Sequence, residues 1–134
     1  MSTGFWIILA IIVAYLIVRF SLNKRFQSVP VDQLADWVRA DGNRLVVDVR
    51  EVQEYQGGHI PGSINVPLSG LTGHTGNIPK DKDVALICRS GNRSMQAARI
   101  LKKNGYQRIW NVTRGMSGWN GQVEKGSKPG RLKA

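Results

Sequence analysis

With 134 residues, 42% of them hydrophobic and 15 of them glycine, the chain has room for one globular domain and an appendage. Two full domains and wholesale disorder are both excluded. The net charge of +10 is uneven: residues 32–99 carry eight acidic and eight basic side chains, so the excess lies in Arg19, Lys24, Arg25 and the eight Lys/Arg from Lys102 onward. That excess suits an anionic lipid surface or an anionic substrate, and with no recognisable nucleic-acid motif beside it, nucleic acid is not an expected partner.

Phe5 to Val18 is an unbroken run of fourteen apolar residues, and no charged side chain precedes Arg19. At about 1.5 Å per helical residue the seventeen uncharged residues from Ser2 to Val18 fall just short of a roughly 30 Å hydrocarbon core. A snorkelling Arg19 extends that span. The residues before the run lack the basic side chains of a secretory signal, and no small-residue cleavage site follows it. Residues 1–20 are therefore read as a single-pass anchor in an inner or plasma membrane, in contact with lipid through residues 5–18. Basic residues only on its C-terminal side put the rest of the chain in the cytoplasm.

Residues 21–28 read as a linker. Val29-Pro30-Val31-Asp32 opens a helix with Leu34, Trp37 and Val38 on one face, ended at Gly42. Leu45 to Val49 is a β-branched run short and apolar enough for a strand covered on both faces, and Val84 to Ile87 is a second. Glycine-rich stretches at Gly57-Gly58, Gly70 to Gly76 and Gly115 to Gly121 mark loops. Met95, Ala98, Ile100 and Leu101 recur at helical spacing before an Asn104-Gly105 stop. Arg108 to Val112 is a third strand, with Tyr106 and Trp110 taken as core strand residues. Strands alternating with helices predict an open, mostly parallel α/β sheet with helices on both faces, and ligands of such sheets bind at the carboxyl ends of the strands. Residues 29–122 form this domain, and 123–134 a basic tail.

Cys88 is the only cysteine, so no intrachain disulfide can form. With His59 and His74 the only histidines, no metal site is expected. The free thiol fits a reducing compartment. Cys88 directly follows the apolar strand 84–87, and a helix begins around Asn92 or Arg93. A tight loop between a strand and a helix N-terminus points backbone N–H groups inward, and Gly91 permits the turn. That field, together with Arg89 and Arg93, favours a thiolate over a thiol. A Cys/His hydrolase would need His59 or His74 beside the thiol, and nothing in the spacing brings either there.

The motifs D48-V-R-E51, G58-H-I-P-G-S-I-N-V-P67, C88-R-S-G-N-R-S94 and G115-M-S-G-W-N120 together resemble the rhodanese family over about Val29 to Gln122. The resemblance implies a rhodanese-like fold and a persulfide cycle. In that cycle Cys88 takes sulfane sulfur from a small anionic donor such as thiosulfate and passes it to cyanide or a thiol. The loop residues Arg89, Ser90, Gly91, Asn92, Arg93 and Ser94 would bind the substrate anion, with no cofactor needed. Phosphatases and arsenate reductases of this fold place an arginine six positions after the cysteine, where this chain has Ser94. The shorter ring of donors suits one sulfur atom better than a phosphate. Asp48, Arg50, His59 and Trp119 are assigned supporting roles. Glu54 joins Arg50 in a structural charge network, and Trp119 either walls the pocket or packs beneath a loop. Arg114 stands where the family often has a glycine. Two alternatives remain open: a non-catalytic interaction module, and a relay whose acceptor is another protein's thiol.

Overall fold

The computed structural model describes residues 2–23 and 27–126. Lys24 and Arg25, part of the expected linker, and the basic tail beyond Gly126 lie outside the described residues.

Helix α1 (Thr3–Asn23) has no residue of its Thr3–Phe20 window buried inside the domain, and that window has a mean hydropathy of 2.2. A helix apolar all round and unburied along this window is not the core helix of a soluble domain. Its length and composition suit a membrane span or a signal sequence.

Five parallel strands follow: β1 (Gln27–Pro30), β2 (Arg44–Asp48), β3 (Ile64–Asn65), β4 (Asp83–Ile87) and β5 (Ile109–Thr113). Their order across the sheet is β1-β5-β4-β2-β3. After β2 the chain runs outward to β3, then returns across β2 to lay down β4 before continuing to β5. The carboxyl end of β4 is therefore where the strand order reverses, the place open α/β sheets use for ligands. β4 is buried along its whole length, which is why Val84 to Ile87 is an apolar run rather than an alternation.

The period of two along β4 still sorts its side chains. Val84, Leu86 and Cys88 join one apolar cluster with Val47, Val49, Ala97, Ala98, Leu101 and Ile109. Ala85 and Ile87 join the opposite cluster with Val31, Leu34, Val46 and Val112. Helices α4 (Leu71–His74) and α5 (Asn92–Lys103) cover the first face. Helix α2 (Leu34–Ala40) and the 3-10 turns Val31–Gln33 and Gly115–Gly118 cover the second. Each fully buried Leu, Ile or Val contributes about 1.5–3 kcal/mol by leaving water, so two filled faces account for a stable sheet of short strands. A short helix α3 (Val52–Gly57) follows β2, with Glu51 and Glu54 forming a reciprocal cap at its start.

Three local expectations change. Gln27 and Ser28 belong to β1 rather than to a linker, because they pair in register with Trp110 and Asn111. The Gly70 to Gly76 stretch is a series of short helical turns that includes α4. Tyr106 precedes β5 instead of lying within it; its ring is buried and its hydroxyl donates to the Ile78 carbonyl at 2.6 Å. Long-range capping of this kind has no periodic signature in the sequence.

Candidate functional site

Cys88 leaves β4 on the α5 face and is 1% exposed. Gly91, at φ +103, turns the chain left-handed into the first turn of α5, a conformation that glycine adopts without penalty. The turn brings the Gly91 N–H to 3.1 Å from the Cys88 Sγ. The Ser94 hydroxyl lies 3.4 Å from the same sulfur. Burial pushes the thiol up, but hydrogen bonds from the Ser94 side chain and from the Ser94, Gly91 and Ser90 backbone outweigh it and hold the Cys88 pKa below the ordinary thiol value. Backbone N–H groups at a helix N-terminus and the Ser94 hydroxyl thus converge on the sulfur.

Behind the loop stands the Gly115–Gly118 turn. Its Met116 and Ser117 N–H groups donate to the carbonyls of Cys88 and Arg89, at 2.8 and 3.0 Å. With those carbonyls drawn backward, the peptide N–H groups of the loop face the sulfur. The fit requires glycine at position 115: its φ is +54, and a Cβ there would lie 2.2 Å from the Cys88 carbonyl oxygen. Arg114, just before it, adopts φ +66, a left-handed conformation costing a side-chain-bearing residue about 1–2 kcal/mol.

The two loop arginines differ. Arg93 makes a two-pronged pair with Glu54 of α3, Nη1 to Oε1 at 2.6 Å and Nη2 to Oε2 at 2.9 Å. The Arg93 hydrogen bonds, aided by the Glu51 N–H, bring the Glu54 carboxyl down to about 2 against the opposing effect of burial. Arg93 thus ties α5 to α3 and shares its charge with a carboxylate. Arg89 is exposed and makes no ion pair among the described residues. Glu54 partners Arg93 rather than the Arg50 network expected for it, a pairing across 39 positions that spacing does not reveal.

Asp48 forms a buried ion pair with Arg50. It accepts from the Arg50 Nη2 at 2.7 Å, from the Arg50 Nε and from its backbone N–H. Arg50 also donates to the Gly58 carbonyl at 2.7 Å. His59 is fully buried and stacked on Tyr55 with centroids 3.7 Å apart, and its Nδ1–H donates to the Tyr55 carbonyl at 2.8 Å. Its polar and ring contacts among the described residues are with Tyr55 of α3 and with Glu124. Trp119 packs against the α2-side cluster, and its indole N–H donates to the Gln122 carbonyl at 3.0 Å. Ser90 and Asn92 are exposed on the loop, and Ser94 is buried under it. His74 lies exposed at the end of α4.

One residue at the site has no counterpart in the sequence reading. Asn111 of β5 is 6% exposed and meets the Ser94 Oγ at 2.5 Å. The signal for it was an asparagine between the apolar Ile109-Trp110 and Val112, which on its own only marks a buried polar group in need of a partner.

Comparison with known proteins gives the loop its setting. The family described as Rhodanese-like domain matches residues 30–122. The putative sulfur carrier protein YrkF of Bacillus subtilis is 38% identical over 87 residues, covering 65% of this chain and 47% of that protein. The chain thus spans about half the length of that relative. A sulfurtransferase of Allochromatium vinosum is 40% identical over 75 residues, covering 56% of this chain and 70% of that protein. Among solved structures, a rhodanese-related protein of Thermoplasma volcanium superposes with a TM-score of 0.67 at 32% identity, covering 74% of this chain and 98% of that one. These likenesses support sulfur transfer in general. Because the family match takes in β2 to β5 whole, with the cysteine loop and the turn that buttresses it, the chain belongs to the rhodanese-like domain family.

Proposed function

We propose that this chain is a membrane-anchored sulfurtransferase whose Cys88 carries sulfane sulfur as a persulfide. The observation that carries the reading is the Cys88 Sγ resting 3.1 Å from the Gly91 N–H at the start of α5, with its ionisation favoured by the loop. The thiolate attacks the outer sulfur of a donor such as thiosulfate. A sulfur–sulfur bond to Cys88 forms, the bond to the sulfonate sulfur breaks, and sulfite leaves with the electron pair. A thiolate or cyanide then attacks the terminal sulfur and releases Cys88 as thiolate. No net oxidation occurs and no cofactor enters. Loop N–H groups stabilise the charge on the sulfur, and the exposed Arg89 attracts the incoming anion. Asp48, Arg50, His59 and Trp119 act at one remove, by holding the elements that carry the loop.

A second reading, a relay that receives sulfur from one protein and gives it to another, draws on the likeness to a putative sulfur carrier. Pairing of Arg93 with Glu54 leaves one loop cation unpaired among the described residues, which suits a protein persulfide as well as a small dianion. For α1, Arg19 beyond its apolar run favours an anchor with the domain on the cytoplasmic side.

Incubating the full-length chain with thiosulfate, and separately with a persulfidated protein, should add the mass of one sulfur atom to Cys88. No adduct from any donor would sink the persulfide reading, and an adduct only from the protein donor would select the relay. Alkaline carbonate extraction should leave the chain in the membrane pellet; release into the supernatant would remove the anchor.

A further inference from the structure

By the period of two along β5, Asn111 shares a face with Ile109, whose buried apolar cluster also holds Ala97, Ala98 and Leu101. An amide buried among such side chains is unfavourable without a hydrogen-bond partner. Its partner is the Ser94 Oγ at 2.5 Å, and Ser94 also lies 3.0 Å from the Gly91 carbonyl and 3.4 Å from the Cys88 Sγ.

Counting protons shows what this chain of contacts can do. Ser94 has one hydroxyl proton and accepts through its lone pairs. While Cys88 is a thiol, its S–H can donate to Ser94, and the Ser94 proton goes to Asn111 Oδ1 or to the Gly91 carbonyl. When the thiol proton leaves for solvent, the sulfur can only accept, so Ser94 must turn its O–H toward it. The contact between Ser94 Oγ and Asn111 Oδ1 would then hold no proton, and two oxygen lone pairs would face each other. Half a turn of the amide about its Cβ–Cγ bond replaces Oδ1 by Nδ2, which donates to Ser94. The hydrogen bonds then run in one direction, from Asn111 through Ser94 to the thiolate.

We infer that Asn111 is a positioning residue that sets the direction of the Ser94 proton and so stabilises Cys88 as a thiolate. An amide can do this because it both accepts and donates at one site. Aspartate could only accept, and leucine could do neither. The inference rests on Cys88 acting as a thiolate, as in the sulfurtransferase reading, and does not depend on which donor supplies the sulfur.

Cys88 is the only cysteine, so its ionisation can be followed in the full-length chain in detergent by ultraviolet thiolate absorbance, against the Cys88→Ser chain as a blank. Asn111→Asp should raise the titration midpoint by about one pH unit, and Asn111→Leu by about half a unit. In a Ser94→Ala background the Asn111→Leu shift should disappear. Thermal melting shows which variants are folded. A folded Asn111→Leu or Asn111→Asp chain that titrates as the parent would overturn the inference, as would a leucine shift that persists in full without Ser94. A parent chain that takes up sulfur while its midpoint ignores Asn111 fails this inference alone. One that takes up none while its midpoint follows Asn111 fails only the sulfurtransferase reading.

Discussion

Two acid–arginine pairs lie beside the cysteine loop and differ in nearly every physical respect. Asp48 and Arg50 are two residues apart, with side chains 0% and 9% exposed. Glu54 and Arg93 are 39 residues apart, with side chains 36% and 31% exposed. The first pair closes the turn after β2 and supports the Gly58 carbonyl. The second ties α3 to the first turn of α5 and offsets a positive charge next to Cys88. The same two chemical groups thus serve stability where water is absent and the electrostatics of the site where water is present. Depth decides the difference, because a lone charge is costly to bury and cheap to expose.

Breaking the buried pair should have the largest effect. Asp48→Ala leaves the Arg50 guanidinium buried without its carboxylate, and the expected loss of stability is about 3–5 kcal/mol. Denaturant unfolding of the full-length chain would measure it. A loss no greater than that of an exposed pair would mean that water reaches Arg50.

Removing the charge from the outer pair sharpens the contrast. Glu54→Gln should change stability by no more than about 1 kcal/mol at neutral pH. It should also expose Cys88 to the full charge of Arg93 and lower its titration midpoint by less than about one pH unit, the direction opposite to Asn111→Asp. Thiolate absorbance reads the shift, and a rising midpoint would mean that Arg93 moves away once freed.

The smallest effect is one of pH. The Glu54 carboxyl is lowered in the folded chain to about 2 from an ordinary 4.5. Its contribution to stability is present above 4.5 and fades as pH falls toward 2. Melting temperatures of the parent chain should fall more across that window than those of Glu54→Gln. Equal slopes would show that the pair contributes nothing measurable.

Much of this was legible in the chain itself. β2 and β4 announce themselves as β-branched or apolar runs, α5 as a helical stripe that stops at Asn104-Gly105, and the Cys88 loop as a polar turn between a strand and a helix. Each is set by local periodicity and local turn chemistry, which neighbouring residues determine. β1 was hidden because four residues make no pattern; it exists through pairing with β5.

The site divides the same way. Sequence alone singled out Cys88, the turn at Gly91 and the polar residues that follow it, since all lie within seven consecutive residues. Only the tertiary structure decided which arginine stays unpaired among the described residues, which turn draws back the carbonyls of Cys88 and Arg89, and which buried amide reaches Ser94. Those partners come from α3, from the turn after β5 and from β5, and nothing in residue spacing records a contact between segments that meet only when the sheet has formed.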